Sequence, residues 1–141
     1  MKRIQIFLLL FCLALIYSCK TEKLQLPFEP VKSLKGNWRI TGVARNGNDL
    51  TNFFDFSKFR INFTDSSYTL SEKVPFLVTE SGTWHFDDPQ YPFQLALKAK
   101  DSTEKISPLV FPIVGGKRTM VLTLSPGCKS NIYQYNLEKA D

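Results

Sequence analysis

The spacing of apolar residues divides the chain into three parts. Met1-Lys2-Arg3 leads into an apolar run, residues 4–17, interrupted by Gln5. Fourteen residues fall short of the ~20 that cross a bilayer as a helix. A basic start, an apolar run and a small residue, here Ser18, are the parts of a secretory signal. Residues 19–33 contain Pro27 and Pro30 and keep no period, which predicts a tether. From residue 34 to the end the chain alternates apolar and polar with the period of two that belongs to strands.

That alternation predicts eight short strands. In the first, Trp38, Ile40, Gly42 and Ala44 share one face, and Arg39, Thr41, Val43 and Arg45 the other. Asn46-Gly47-Asn48-Asp49 reads as a turn, and Leu50 to Asp55 as a short irregular or helical lid. Phe59, Ile61 and Phe63 mark a second strand, and Tyr68-Thr69-Leu70 a third, with Asp65-Ser66-Ser67 between them. Val78 to Phe86 form the fourth, with Gly82, Trp84 and Phe86 inward. A glycine inside a strand implies a sharp bend or the close approach of another backbone.

Asp87 to Pro92 make a rigid turn, and Phe93, Leu95 and Leu97 the fifth strand. The sixth covers residues 105–114, where Pro108 and Pro112 imply an edge or a bulge. Gly115-Gly116 suits a two-residue primed turn. Met120, Leu122 and Leu124 give the seventh strand, and Tyr133, Tyr135 and Leu137 the eighth. Hairpin-length connections without intervening helices predict an all-β, eight-stranded antiparallel up-and-down barrel; a flattened sandwich is the alternative. In a barrel the first strand pairs with both the second and the eighth. Trp38 is then expected to plug one end, with Arg118 lying across its ring as a cation–π partner.

Composition adds bounds. Removing residues 1–18 leaves 123 of the 141, enough for one domain with its own core. The formal charge of +5 falls to +3, 16 basic against 13 acidic residues, once Lys2 and Arg3 are gone. That balance, without a basic cluster, argues against nucleic acid as a partner. Of three cysteines, Cys12 lies in the signal and Cys19 directly follows its small residue. Cys128 is then left without a disulfide partner and is expected to be a buried, unreactive thiol.

Leu15-Ile16-Tyr17-Ser18-Cys19 resembles the lipobox of bacterial lipoproteins, which implies acylation of Cys19 and a membrane partner held through that lipid. Each buried methylene adds ~0.8 kcal/mol, so one chain holds weakly and two hold durably. Lys20-Thr21-Glu22-Lys23 weakly resembles the surface-export signal of some Bacteroidota lipoproteins. Gly36-Asn37-Trp38 resembles the G-x-W motif that opens lipocalins. Residues 82–93 and 125–139 look like a family of lipocalin-like Bacteroidota lipoproteins of unknown function. The resemblance covers about residues 34–139. It implies a calycin-type barrel at the outer membrane, facing the periplasm or the cell surface, and it implies no activity. The chain departs from true lipocalins in lacking their mid-chain T-D-Y motif and a helix after the barrel.

Candidate chemistry is sparse. His85, the single histidine, has the opposite parity to Trp84 and Phe86 and should face outward. Asp87 and Asp88 precede Pro89 and read as turn residues. No nucleophile elbow, phosphate loop or dinucleotide fingerprint occurs, so neither enzyme nor cofactor is expected. Trp84, Tyr91, Phe93, Tyr133 and Tyr135 are the candidate ligand contacts, for a small apolar or glycan-like molecule at the barrel mouth. Otherwise they fill the core of a structural or interaction subunit. Gly36, Trp38 and Arg118 are expected to close the barrel.

Overall fold

The computed structural model describes residues 28–127 and 130–140. Cys12, Cys19 and Cys128 therefore lie outside the described residues. In chain order the elements are β1 (Gly36–Arg45), β2 (Asn48–Asp49), a 3-10 turn (Thr51–Phe53), β3 (Ile61–Phe63), β4 (Ser67–Leu70), β5 (Gly82–Phe86), β6 (Gln94–Ala99), β7 (Lys105–Val110), β8 (Ile113–Val114), β9 (Lys117–Leu124) and β10 (Tyr133–Lys139).

Eight of these strands close a ring. β1 pairs with β3 on one side and β10 on the other, and the path runs β3–β4–β5–β6–β7–β9 before β9 rejoins β10. Every pairing is antiparallel, so the barrel is up-and-down. The remaining two strands extend hairpins. β2 returns along β1 through Asn46-Gly47, and β8 joins β9 through Gly115-Gly116. All four turn residues have positive φ, as a primed turn requires.

This topology gives the barrel two unlike ends. At the floor lie the N-terminal segment 28–35, the turn 64–66, the loop 87–93 and the β8–β9 hairpin. At the rim lie the connections 46–60, 71–81, 100–104 and 125–132.

Trp38 closes the floor. It is fully buried, paired with Ile61 of β3 and Lys139 of β10, and its indole N–H donates to the Leu34 carbonyl at 2.7 Å. Gly36 enters this seam at φ +119, where an added Cβ would stand 2.9 Å from the Lys139 side chain. The Arg118 guanidinium lies 4.8 Å from the centre of the Phe111 ring, and Phe111 packs against Trp38 at 5.9 Å. A ring thus stands where direct Arg118–Trp38 contact was expected. Phe111 is followed by Pro112, and the expected sixth strand is interrupted at these two residues, separating β7 from β8.

Two further expectations are corrected. The β1–β10 register shifts between Ile40 and Gly42, leaving Thr41 as an extra residue. This bulge reverses the parity, so Val43 is buried opposite Tyr135 and Ala44 is not. The fourth strand begins at Gly82 rather than Val78. Phe76, Leu77 and Val78 instead turn into the rim and are buried there. Phe76 packs on Phe59 and edge-on to Tyr135, with 5.1 Å between centroids in both pairs. With Trp38 below, Phe59 and Phe76 above, and Phe63, Tyr68, Leu97, Met120 and Leu137 between, the described interior is packed with side chains.

Emptying the floor by Trp38→Ala should cost about 3–5 kcal/mol, and Arg118→Ala, which removes the outer cation–π contact and a long 3.3 Å hydrogen bond to the Phe111 carbonyl, about 1 kcal/mol. Urea denaturation of the domain measures both; equal losses would remove the plug assigned to Trp38. Gly82 offers a sharper test. A Cβ there would stand 2.0 Å from the Lys98 carbonyl oxygen and 2.8 Å from the Ala99 Cα. Both are backbone atoms of β6, so Gly82→Ala should force the β5–β6 ladder apart and cost about 2 kcal/mol or more. An unchanged urea midpoint would contradict that close approach.

Candidate functional site

The five aromatic candidates do not meet in one cavity. Trp84 is half-buried in the wall, donates its indole N–H to the Thr64 carbonyl at 3.1 Å, and packs edge-on to Phe63 and Phe86. Tyr91 and Phe93 are exposed in the floor loop 87–93. Tyr135 is in the core, against Phe76. Tyr133 lies near the rim with the Arg45 guanidinium 5.6 Å from its ring centre. Chemistry suggested these residues as a group, and topology separates them.

The buried tyrosines offer little polar recognition. Burial pushes the Tyr68 hydroxyl up to about 12, and burial together with Tyr133 does the same for Tyr135. The Tyr68 hydroxyl has no hydrogen-bond partner among the described residues.

The polar candidates serve the backbone or the surface. The Asp87 carboxylate accepts from the Phe93 and Gln94 N–H groups, at 3.0 and 2.9 Å. Asp88 accepts from the Gln90 and Tyr91 N–H groups. Both are thus turn residues, as expected. His85 is exposed, with its Nδ1 3.8 Å from a Glu104 oxygen. Asn131 accepts a 2.6 Å bond from Arg45 Nε. Among the described residues, no group of three or more His, Cys, Asp or Glu is placed to hold a metal ion.

Among the described residues, a recess beside the barrel wall is large enough for a small molecule. An open groove of about 610 Å³ lies near the rim between β7 and β9. Leu77, Ile106, Pro108, Leu124, Pro126 and Ile132 give it apolar walls, and Glu104 and Lys105 stand at its side. Its origin is in the strand pairing. β7 and β9 are paired only at Leu109↔Leu122 and Val110↔Val121. The Leu109 N–H turns to β6, donating to the Phe93 carbonyl, so alternation points position 108 at β9. Pro108 has no N–H to give. Buried Ser107 bridges the gap instead: its hydroxyl accepts from the Thr123 N–H at 2.8 Å and donates to the Pro108 carbonyl at 2.9 Å. Pro108 signalled an irregular strand; nothing in the one-dimensional pattern singled out Ser107 or Leu77. A second, smaller hollow of about 400 Å³ runs along Thr51 to Ser57 beside Phe53 and Phe54.

A family defined by a domain of unknown function, DUF5004, matches residues 18–138, which is most of the chain. The chain belongs to the DUF5004 family. No curated protein and no solved structure matches it. The DUF5004 match takes in the whole barrel from β1 to β10 apart from its last residue, and reaches back across Cys19.

The 87–93 loop of this DUF5004 barrel is held by a carboxylate and is therefore sensitive to acid. The Gln94 N–H, with help from the Phe93 N–H, holds the Asp87 carboxyl below the ordinary carboxylate range. A folded value below the unfolded one means that the contribution is present above the unfolded value and is lost as pH falls through the folded value. Amide protection at Phe93 and Gln94, measured by hydrogen exchange, should therefore drop on acidification below that range. Asp87→Ala should show the loss already at neutral pH. Protection that persists in the variant would mean the loop is held by something else.

Proposed function

We propose that this chain is a non-catalytic envelope lipoprotein, anchored to the outer membrane by acylated Cys19, that works through its outer surface as a structural or interaction subunit. The observation carrying this choice is the interior. Trp38 fills it from the floor, and Phe59, Phe76, Leu77 and Val78 fill it from the rim. A ligand at the barrel mouth would need these side chains to leave. The anchor itself rests on the lipobox-like Leu15 to Cys19, and the lipocalin-like Bacteroidota kinship rests on Gly36-Asn37-Trp38 and residues 82–93 and 125–139.

A second reading has a specific observation behind it. The groove between β7 and β9 has the volume of small-molecule sites, roughly 300–1,000 Å³, and mixed apolar and charged walls. A small apolar or glycan-like ligand would sit there, outside the barrel, rather than among the five aromatics. Native mass spectrometry of the purified protein distinguishes the two readings by a retained mass.

Anchoring has its own test. A fatty-acid probe fed to expressing cells should label the protein, and Cys19→Ala should abolish the label and release the domain from membranes. A Cys19→Ala protein that still takes the label would put the acyl group elsewhere.

A further inference from the structure

The floor of the barrel exposes apolar side chains from three separate stretches. Phe28 and Val31 come from the N-terminal segment, Tyr91 and Phe93 from the loop 87–93, and Ile113 and Val114 from β8; all six are more than half exposed. Specific contacts hold the stretches at one end. The Lys32 N–H donates to the Pro89 carbonyl at 2.8 Å, and the Gln90 amide donates to the Glu29 carbonyl at 3.2 Å. The Phe93 carbonyl accepts the Leu109 N–H of β7, whose arm runs on through Phe111-Pro112 into β8. β9 pairs with β10 only as far as Thr119↔Glu138, so Lys117 and Arg118, paired with β8, carry the hairpin past the ring.

Charge on this end is arranged around the same tip. Lys117 follows the Gly115-Gly116 turn and is exposed, with Arg118 beside it. The carboxylates of the floor are engaged within the protein: Glu29 with Lys32, Asp65 with Lys35 at 3.6 Å, and Asp87 and Asp88 with backbone N–H groups. Clustered exposed apolar side chains mark an interaction surface. Aromatic and aliphatic tips with adjacent Lys and Arg suit the boundary between acyl chains and headgroups.

We propose that the floor is a membrane-seating face: the β8–β9 tip and the Tyr91–Phe93 loop enter the headgroup boundary, and Lys117 and Arg118 sit at the level of lipid phosphates. The occupant follows from the path of the chain. Phe28 leaves the domain at this end and lies nine residues after Cys19, a span of at most about 30 Å. The inference rests on the anchoring proposed above, and it adds an orientation: floor against the bilayer, rim away from it.

Two exposed phenylalanines at opposite ends provide a matched test, Phe93 at the floor (73 %) and Phe53 near the rim (76 %). Full-length chain carrying the photo-crosslinker benzoylphenylalanine at 93, at 114 or at 53 is irradiated in the membranes of expressing cells. Adducts are then identified by mass. Phospholipid adducts should form at 93 and 114 with a yield several-fold above that at 53. Equal yields at 93, 114 and 53, or adducts to protein alone at 93 and 114, overturn the seating face while leaving the anchor intact. Phospholipid adducts at 93 and 114 on a chain that takes no fatty-acid label overturn lipidation and keep the seating face. A chain recovered in the soluble fraction without lipid adducts overturns both.

Discussion

Closure of the ring at β1 is the constraint on which the rest depends. A sheet of short strands leaves unpaired edges unless its first and last members meet. Here β1 takes β3 on one side and β10 on the other, and Trp38 stands at that seam, opposite both Ile61 and Lys139. The same side chain seals the floor and donates to the Leu34 carbonyl. One residue therefore joins ring closure, core packing and the path of the segment that precedes the barrel. The N-terminal segment is held at the floor by this contact and by the bond between Lys32 and Pro89, and any anchor upstream of it must pull on that end.

Closing a small ring also determines what is left inside it. Eight strands enclose a space that side chains can fill or that can hold one small ligand. In this chain Trp38 enters from one end and Phe59 and Phe76 from the other. The rim loops are structural for this reason: Phe56, Phe76, Leu77 and Val78 are buried although none lies in a strand. Polar atoms are few in this interior. Ser107 is the one fully buried polar residue among those described, and it mends the seam where Pro108 cannot donate. The departure from a perfect ring is at that seam, and the groove lies beside it.

Much of this was legible in the residues. Period two located the eight barrel strands, Gly115-Gly116 was legible as a primed turn, and the turn read over Asn46 to Asp49 is confined to Asn46-Gly47, with Asn48 and Asp49 returning as β2. Gly82 was readable as a sharp bend or a close approach, and the backbone of β6 beside it makes it a close approach. Pro108 and Pro112 marked one irregular strand, but the other local irregularities were not legible. The extra residue at Thr41 leaves no mark in the pattern, yet it exchanges Ala44 for Val43 in the core. Val78 was read into the fourth strand, and no period marked Phe76 and Leu77, although all three are buried in the rim. Arg118 was assigned to Trp38 by position, and Phe111 was overlooked because it was read as one residue within a sixth strand over 105–114, whereas the strand is interrupted there. The site was least legible. Trp84, Tyr91, Phe93, Tyr133 and Tyr135 were grouped by side-chain type, whereas their strands and loops carry them to the wall, the floor, the rim and the core.

The two ends of the barrel differ in a way that the ring itself does not require. An up-and-down ring has equivalent ends by topology, since hairpins alternate between them. The asymmetry comes from what the connections carry. The rim connections send Phe59, Phe76, Leu77 and Val78 inward, where they are buried, although Phe53, Phe54 and Ile132 stay exposed there. The floor connections leave Phe28, Tyr91, Phe93, Ile113 and Val114 in solvent, while Asp87 and Asp88 spend their oxygens on keeping the 87–93 loop in shape. Exposing apolar side chains on a loop and a hairpin tip gains no folding energy, whereas turning them onto the core would. Their exposure is therefore a property of the surface rather than of packing, and it falls at the end where the N-terminal segment 28–35 enters the barrel.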